Sequence, residues 1–510
     1  MKRYERRQKQ RELKERQKKR GQYYPSSFTL PNRTSNLKTV EEEKEADQNN
    51  AEATLDVYRQ LLPGLLKKLS RIPDPRNPNK IKHKMDVMMF YGILMYIFHI
   101  PSRRSTNRDM TTPQLFENLR AVFPELEEMP HQDTLCRLLE AMDVEKIETA
   151  YIELLKQVIS KKKFRKLLQE KRYLVAVDGT QKYVMDECWD ERYLRRRIKG
   201  EDGEYYYYAF VLEAVLVFAN GMVIPLLSEF LENSPELEAI EDEEKWKQDC
   251  ELKAFYRLSK RLKETFPKLP LTLLLDGLYA NGPVIEICRK NKWKFIIVLK
   301  DGSLPSLWQE VKGLMRLDTR GEHRCERKWK GRHQVFKWVN EIEYTYDSDK
   351  KKTYINVVIC DETWKGVDKK GNIENKKARH AWISSEPITR GNVHKLCNLM
   401  GRKRWLHENN ILKEKRQGYQ YEHIFSYDFD AMKGYHYLMH IARMLNEMAI
   451  HSVYLQDTVK EMGIQAFIRN FREVMTHREL DITRLRRLSE SPGQLRLVTE
   501  QIWETSWPAA

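Results

Sequence analysis

The chain of 510 residues carries 91 Lys and Arg against 74 Asp and Glu, a formal net charge of +17. That surplus favours a polyanionic partner, nucleic acid before an anionic membrane surface, and a hydrophobic fraction of 41% excludes a wholly disordered scaffold. Seven scattered cysteines without a Cys-x-x-Cys pair argue against a zinc ribbon or disulfide framework, and the longest apolar run, Val87–Ile100, falls short of the roughly 20 residues a crossing helix needs.

Residues 1–21 hold eleven Lys/Arg and three Glu. They are too polar to bury a core and predict a basic arm, disordered or marginally helical; a polar linker continues it, so 1–52 reads as arm and linker. With no apolar segment behind the charged start there is no signal peptide, and the expected location is the cell interior. Residues 53–170 predict a helical domain, a candidate for DNA contact. Leu61, Leu62, Leu65, Leu66 and Leu69 recur at helical spacing, interrupted by Pro63-Gly64, and a proline-rich break follows at Ile72–Pro78. Met85–His99 predicts a core helix, followed by amphipathic helices over Pro113–Val122 and Asp133–Met142, the latter capped by Asp133 or Thr134.

From 171 to 300, strand and helix alternate. Tyr173–Val177 predicts a buried strand whose carboxyl end is Asp178-Gly. Tyr206–Phe218 and Met222–Phe230 predict a hairpin turning at Asn220-Gly221, and Glu244–Thr265 a charged helix. Leu271–Leu275 predicts a second buried strand ending at Asp276-Gly, then a helix Pro283–Asn291 and a strand Lys294–Leu299. Two strand-end aspartates set side by side make a site for divalent metal, although Asp-Gly also simply opens a turn. Arg195-Arg196-Arg197, in the loop after the first strand, is a candidate phosphate contact.

Residues 301–378 predict a β-rich insertion with strands Val335–Val339, Glu341–Tyr346 and Thr353–Cys360 among Lys- and Gly-rich turns. Its Trp329, Trp338 and Trp364 read as sheet packing first and as base-stacking groups second. Residues 379–455 predict a strand Arg379–Ser384, a long helix from Asn392 to 417, and a helix Ala431–Tyr454 with Leu438, Ile441, Leu445 and Met448 on one face. Residues 456–510 predict a helix Val459–His477 and a basic tail around Arg484, a candidate oligomerisation region. On helix 392–417, Arg404, Glu408 and Lys415 are spaced by four and seven and share a face. Alone, that pattern is an ion pair as readily as a site.

The order of Asp178, Asp276, a β insertion and a helical Glu408 resembles the DDE transposases of bacterial insertion sequences. Within them it is similar to the group with an inserted β-domain and a Tyr-x2-Arg-x3-Glu-x6-Lys signature, matched by Arg404, Glu408 and Lys415 but not at Gly401, where the tyrosine would stand. The element order in 171–300 is that of the ribonuclease H-like fold. The resemblance spans about residues 55–455 and implies an α+β multidomain chain: a ribonuclease H-like mixed-sheet core in two halves (171–300 and 379–455), interrupted by the β-rich insertion, with helical N- and C-terminal regions. It further implies Mg²⁺-dependent cleavage and strand transfer of DNA, with Asp178, Asp276 and Glu408 as catalytic acids holding two Mg²⁺ ions, or Mn²⁺ in their place. Asp178 would bridge the ions while Arg404 and Lys415, with Arg195, Arg196 and Arg197, neutralise phosphates. The partners implied are transposon ends and target DNA, bound by a homodimer at the bacterial nucleoid. Glu422 is the rival third acid. The alternative readings are a structure-specific nuclease without strand transfer and a catalytically inactive DNA-binding regulator.

Overall fold

The computed structural model describes residues 3–19, 34–124, 126–198, 204–233, 248–368, 372–491 and 493–500. Its centre is β1 (Tyr173–Met185). Leu174 and Ala176 join one apolar cluster while Tyr173, Val175 and Val177 join another, so the strand is covered on both faces. Antiparallel to β1 runs β3 (Tyr205–Val217), which pairs in turn with β4 (Val223–Phe230) through a turn where Gly221 takes φ 89°. On the other side β5 (Leu271–Leu275) lies parallel to β1, and β6 (Lys294–Val298) lies parallel to β5.

The sheet does not stop at β6. Strand β10 (Ile373–Ser384) pairs antiparallel with it, and β9 (Lys351–Val367), β8 (Arg332–Tyr346) and β7 (Arg324–Trp329) follow in order. The hairpins of the β-rich stretch are therefore continuous with the central sheet. The two strands expected over 335–346 are one, with a register shift between Val339 and Ile342 where Glu341 takes φ 56°.

Helical segments also differ from expectation. The basic arm, expected to be disordered or marginally helical, forms helix Arg3–Lys19. Residues 40–52, read as linker, open helix Val40–Leu69, because Thr39 caps Glu42 N–H and Glu41, Glu42 and Glu43 sit at the positive end of the dipole. That helix runs through Pro63: burying Leu61, Leu62, Leu65, Leu66 and Leu69 at about 2 kcal/mol each outweighs the roughly 3 kcal/mol a helical proline costs. The cap of helix Gln132–Ala141 is His131 rather than Asp133 or Thr134. Helix Glu145–Ser160 had no counterpart in the sequence reading. Of the charged helix expected from Glu244, residues 244–247 lie outside the described part and the helix runs Glu251–Thr265. Helix Phe429–Ile450 is buried nearly all round instead of on one face. The expected helix Val459–His477 is two, Gln456–Met462 and Ile464–His477, parted by Gly463 at φ 82°. The basic tail forms helix Ile482–Glu490, where Arg484 pairs with Glu45 and Glu52; further on, Gly493 N–H donates to Asp56 and Leu495 N–H to Gln60. The carboxyl-terminal stretch is thus clasped to helix Val40–Leu69. No described helix is long and apolar enough to cross a membrane, and the seven cysteines form no disulfide.

Candidate active site

Strand register builds the site. Parallel pairing of β1 with β5 ends at Ala176–Leu274, so two residues further along each strand Asp178 and Asp276 stand side by side at the rim of adjacent strands, about 5 Å apart by sheet spacing. Contrary to the expectation, Asp178 is not a strand end: β1 continues to Met185 against β3, and only its β5 edge opens. Side-chain alternation puts Asp178 on the face of Leu174 and Ala176, and that face is covered by Leu396, Cys397, Met400 and Leu406.

The covering segment is not one α-helix from Asn392. Lys395–Met400 form a wide π turn and Gly401–Arg404 a tight 3₁₀ turn, before the α-helix Trp405–Arg416. Packing is tight at Gly401, where the tyrosine of the signature would stand. A Cβ on Gly401 would lie 3.1 Å from Trp382 Nε1, 3.2 Å from the Leu396 carbonyl and 3.3 Å from an Ile296 methyl. The turn is pressed against the sheet with no room for a ring at that position.

The break delivers Arg404 into the rim. Its side chain is 7% exposed, and its guanidinium spans all three acids: Nη1 is 3.5 Å from Asp178 Oδ2, and Nη2 is 2.8 Å from Glu408 Oε1 and 3.9 Å from Asp276 Oδ1. Lys300, the second residue after β6, donates to Asp276 Oδ2 at 2.8 Å. The structure thus brings together Asp178, Asp276, Glu408 and Arg404. Lys415 lies further along the helix, donating to the Gln181 carbonyl of β1 and pairing with Glu422, both at 3.0 Å. Glu422, the rival acid, faces Lys415 and is largely exposed. Arg195, Arg196 and Arg197 are not in a loop: they form β2 (Leu194–Arg197), paired antiparallel with Tyr205–Tyr208. Alternating side chains put guanidinium groups over aromatic rings, Arg195 over Tyr205 and Arg196 over Tyr208. In the β-rich stretch Trp338 is buried in the sheet's apolar cluster, while Arg332 lies over Trp364 and Arg402 over Trp329.

Charge at the rim is unbalanced. Burial pushes the Asp178 carboxyl up; Arg404 opposes this, but the charges of Glu408, Glu251 and Asp276 add to the rise and leave it at about 7. Burial also works against Asp276, yet the Lys300 hydrogen bond, the Gly277 N–H and Arg404 outweigh it and hold that carboxyl below its ordinary value. The stability consequence has a definite sign. A carboxyl raised from 3.8 to about 7 helps folding most below pH 4, and that help is lost as pH rises towards 7. Without added cation at pH 8, Asp178→Asn is therefore expected to be more stable than the parent by about 2 kcal/mol, seen as a higher Tm; the gain shrinks as pH falls towards 4.

A hard, all-oxygen donor set with surplus negative charge suits a divalent ion such as Mg²⁺, and Arg404 already sets a positive charge among the carboxylates. A second donor cluster was not anticipated. Glu213, His436 and His440 gather ligand-type atoms within 4.8 Å of one another, all buried. Lys182 Nζ, however, lies 3.2 Å from His436 Nδ1, and Ser228 Oγ lies 3.0 Å from His436 Nε2. An ammonium donating to Nδ1 would leave the proton on Nε2, and in that tautomer the contacts make a buried ionic network. Lys300 was discoverable from sequence by the strand-end logic that found Asp276; the Glu213 network, gathered from β3 and a distant helix, carries no local signal.

Residues 66–155, in the helical region before β1, match the family model described as DDE_Tnp_1-associated. No curated protein matches the chain. A family associated with DDE transposases preceding a rim of three converging carboxylates points this chain broadly to the DDE transposase family.

Proposed function

We propose that the protein is a metal-dependent DNA transposase. The observation that carries this reading is the contact of one guanidinium, Arg404, with Asp178, Asp276 and Glu408, residues far apart in sequence. The order β4-β3-β1-β5-β6, an antiparallel trio followed by two parallel strands, supports a ribonuclease H-like core.

In this reading the three carboxylates would hold two Mg²⁺ ions, which when bound would stabilise the attacking and leaving oxygens of an in-line displacement. Arg404 then turns from the acids to the phosphate, for which its planar fork is suited. Cleavage forms a bond from water oxygen to phosphorus and breaks the bond to the 3′-oxygen, which leaves with a proton as a 3′-hydroxyl. In transfer that hydroxyl attacks a target phosphodiester; one phosphorus–oxygen bond forms as another breaks, and the displaced target 3′-oxygen takes the proton. Arg195 pairs in register with Tyr207, and Tyr207 with Met185, seven residues along β1 from Asp178. At about 3.3 Å per residue that is roughly 20 Å along β1, and in this reading the guanidinium groups of β2 contact phosphates away from the cut. Two ends must be joined, so the working form is a homodimer on DNA.

The test supplies purified protein and Mg²⁺ with pre-nicked DNA from the flanks of its own gene and a target plasmid. Joined products are expected. Cuts without joining would replace the reading with a nuclease, and neither cuts nor joints would leave a DNA-binding regulator.

A further inference from the structure

Glu251 opens helix Glu251–Thr265, on a part of the chain separate from the three acids. Its carboxylate nonetheless reaches the same rim. A Cβ on Gly179, the residue after Asp178, would lie 2.6 Å from the Phe210 ring and 2.8 Å from Glu251 Oε2, so the ring and the carboxylate share the space that a side chain at 179 would fill. The other oxygen is fixed: fully buried Tyr279, in the turn just after Asp276, donates its hydroxyl to Glu251 Oε1 at 2.6 Å. Glu251 is thereby hydrogen-bonded to the segment after Asp276 and lies against Gly179, next to Asp178. It lies on the face of β1 towards which residue 179 points, opposite Asp178, and its charge still adds to the rise at the Asp178 carboxyl.

Charge counting gives this placement a purpose. Asp178, Asp276 and Glu408 face the cations Arg404 and Lys300, a surplus of one negative charge, which is little with which to retain two divalent ions. A fourth carboxylate doubles that surplus. We infer that Glu251 belongs to the cation-holding set, a fourth acid that Tyr279 aims and Gly179 makes room for. The inference rests on the transposase reading for the role of the ions, but concerns their retention rather than the reaction.

The experiment is a Mn²⁺ titration of the full chain bound to duplex DNA, following free Mn²⁺ by electron paramagnetic resonance, for the parent, Glu251→Gln, Tyr279→Phe and Asp178→Asn. Glu251→Gln is expected to weaken Mn²⁺ binding about ten- to a hundredfold, and Tyr279→Phe to weaken it less. The melting temperature of Glu251→Gln without Mn²⁺ should stay at or above that of the parent, which separates lost charge from lost folding. If Asp178→Asn loses Mn²⁺ while Glu251→Gln binds like the parent, the fourth-acid inference is overturned and the three-acid site stands. If Asp178→Asn also binds like the parent, the reading of the whole rim falls. A Glu251→Gln protein that melts well below the parent assigns the residue to the fold instead, and equally overturns the inference.

Discussion

Asp178→Asn, Asp276→Asn and Glu408→Gln are each expected to lower Mg²⁺-dependent strand cleavage by roughly a thousandfold or more while leaving affinity for duplex ends almost unchanged. Each replacement keeps the size of the side chain and removes one anionic oxygen ligand. Metal-ion stabilisation of a phosphoryl transition state is worth several kcal/mol, and about 4 kcal/mol corresponds to a thousandfold in rate. DNA affinity comes mainly from cations on phosphates, and none of the three residues supplies one. Gel mobility shift and cleavage of end-labelled duplex on the same preparations separate the two effects. Parent-like cleavage by any of the three variants removes that residue from the site.

Arg443→Leu is expected to cost about 3–5 kcal/mol of folding stability, measured by denaturant titration. Arg443 is buried on helix Phe429–Ile450, where its Nε donates to Glu414 at 3.0 Å and its Nη1 lies 3.0 Å from Glu447. Removing the guanidinium strands two buried carboxylates, and breaking a buried pair from one side carries a penalty of that size. Burial pushes Glu414 up even with Arg443 present. Glu414 lies on the helix that carries Glu408, so the loss should also loosen the rim. Replacing Glu414 and Glu447 with glutamine in the same chain should recover part of the stability, because the stranded charges are then gone.

The central sheet was legible because its strands are buried on both faces and read as unbroken apolar runs: Leu174–Val177 and Leu271–Leu275 carry the signal by themselves. Asn220-Gly221 marked its turn equally plainly. Asp178, Asp276 and Glu408 were found by position and resemblance, and the structure brings them to one guanidinium. Less legible was whatever tertiary contact decides. Pro63 and the triple-glutamate run predicted breaks or linker, yet long-range burial and a capping threonine made one helix of them. The π and 3₁₀ turns before Trp405 depend on the fit of Gly401 against Trp382 and Ile296, partners that adjacent sequence does not reveal. Glu251 was passed over for the same reason, since its significance lies in Gly179 and Tyr279, not in its neighbours.

The clasp between helix Val40–Leu69 and the carboxyl-terminal stretch has a consequence in time. Arg484 and Glu45 are 439 residues apart, and a ribosome adding about 5–20 residues per second needs on the order of half a minute or more to bridge that interval. Throughout it Glu45 and Glu52 wait for Arg484, and Glu43 and Asp47 meet Arg478 only a few residues earlier. The clasp would thus close only after the residues that make it, at both ends of that interval, have been synthesised.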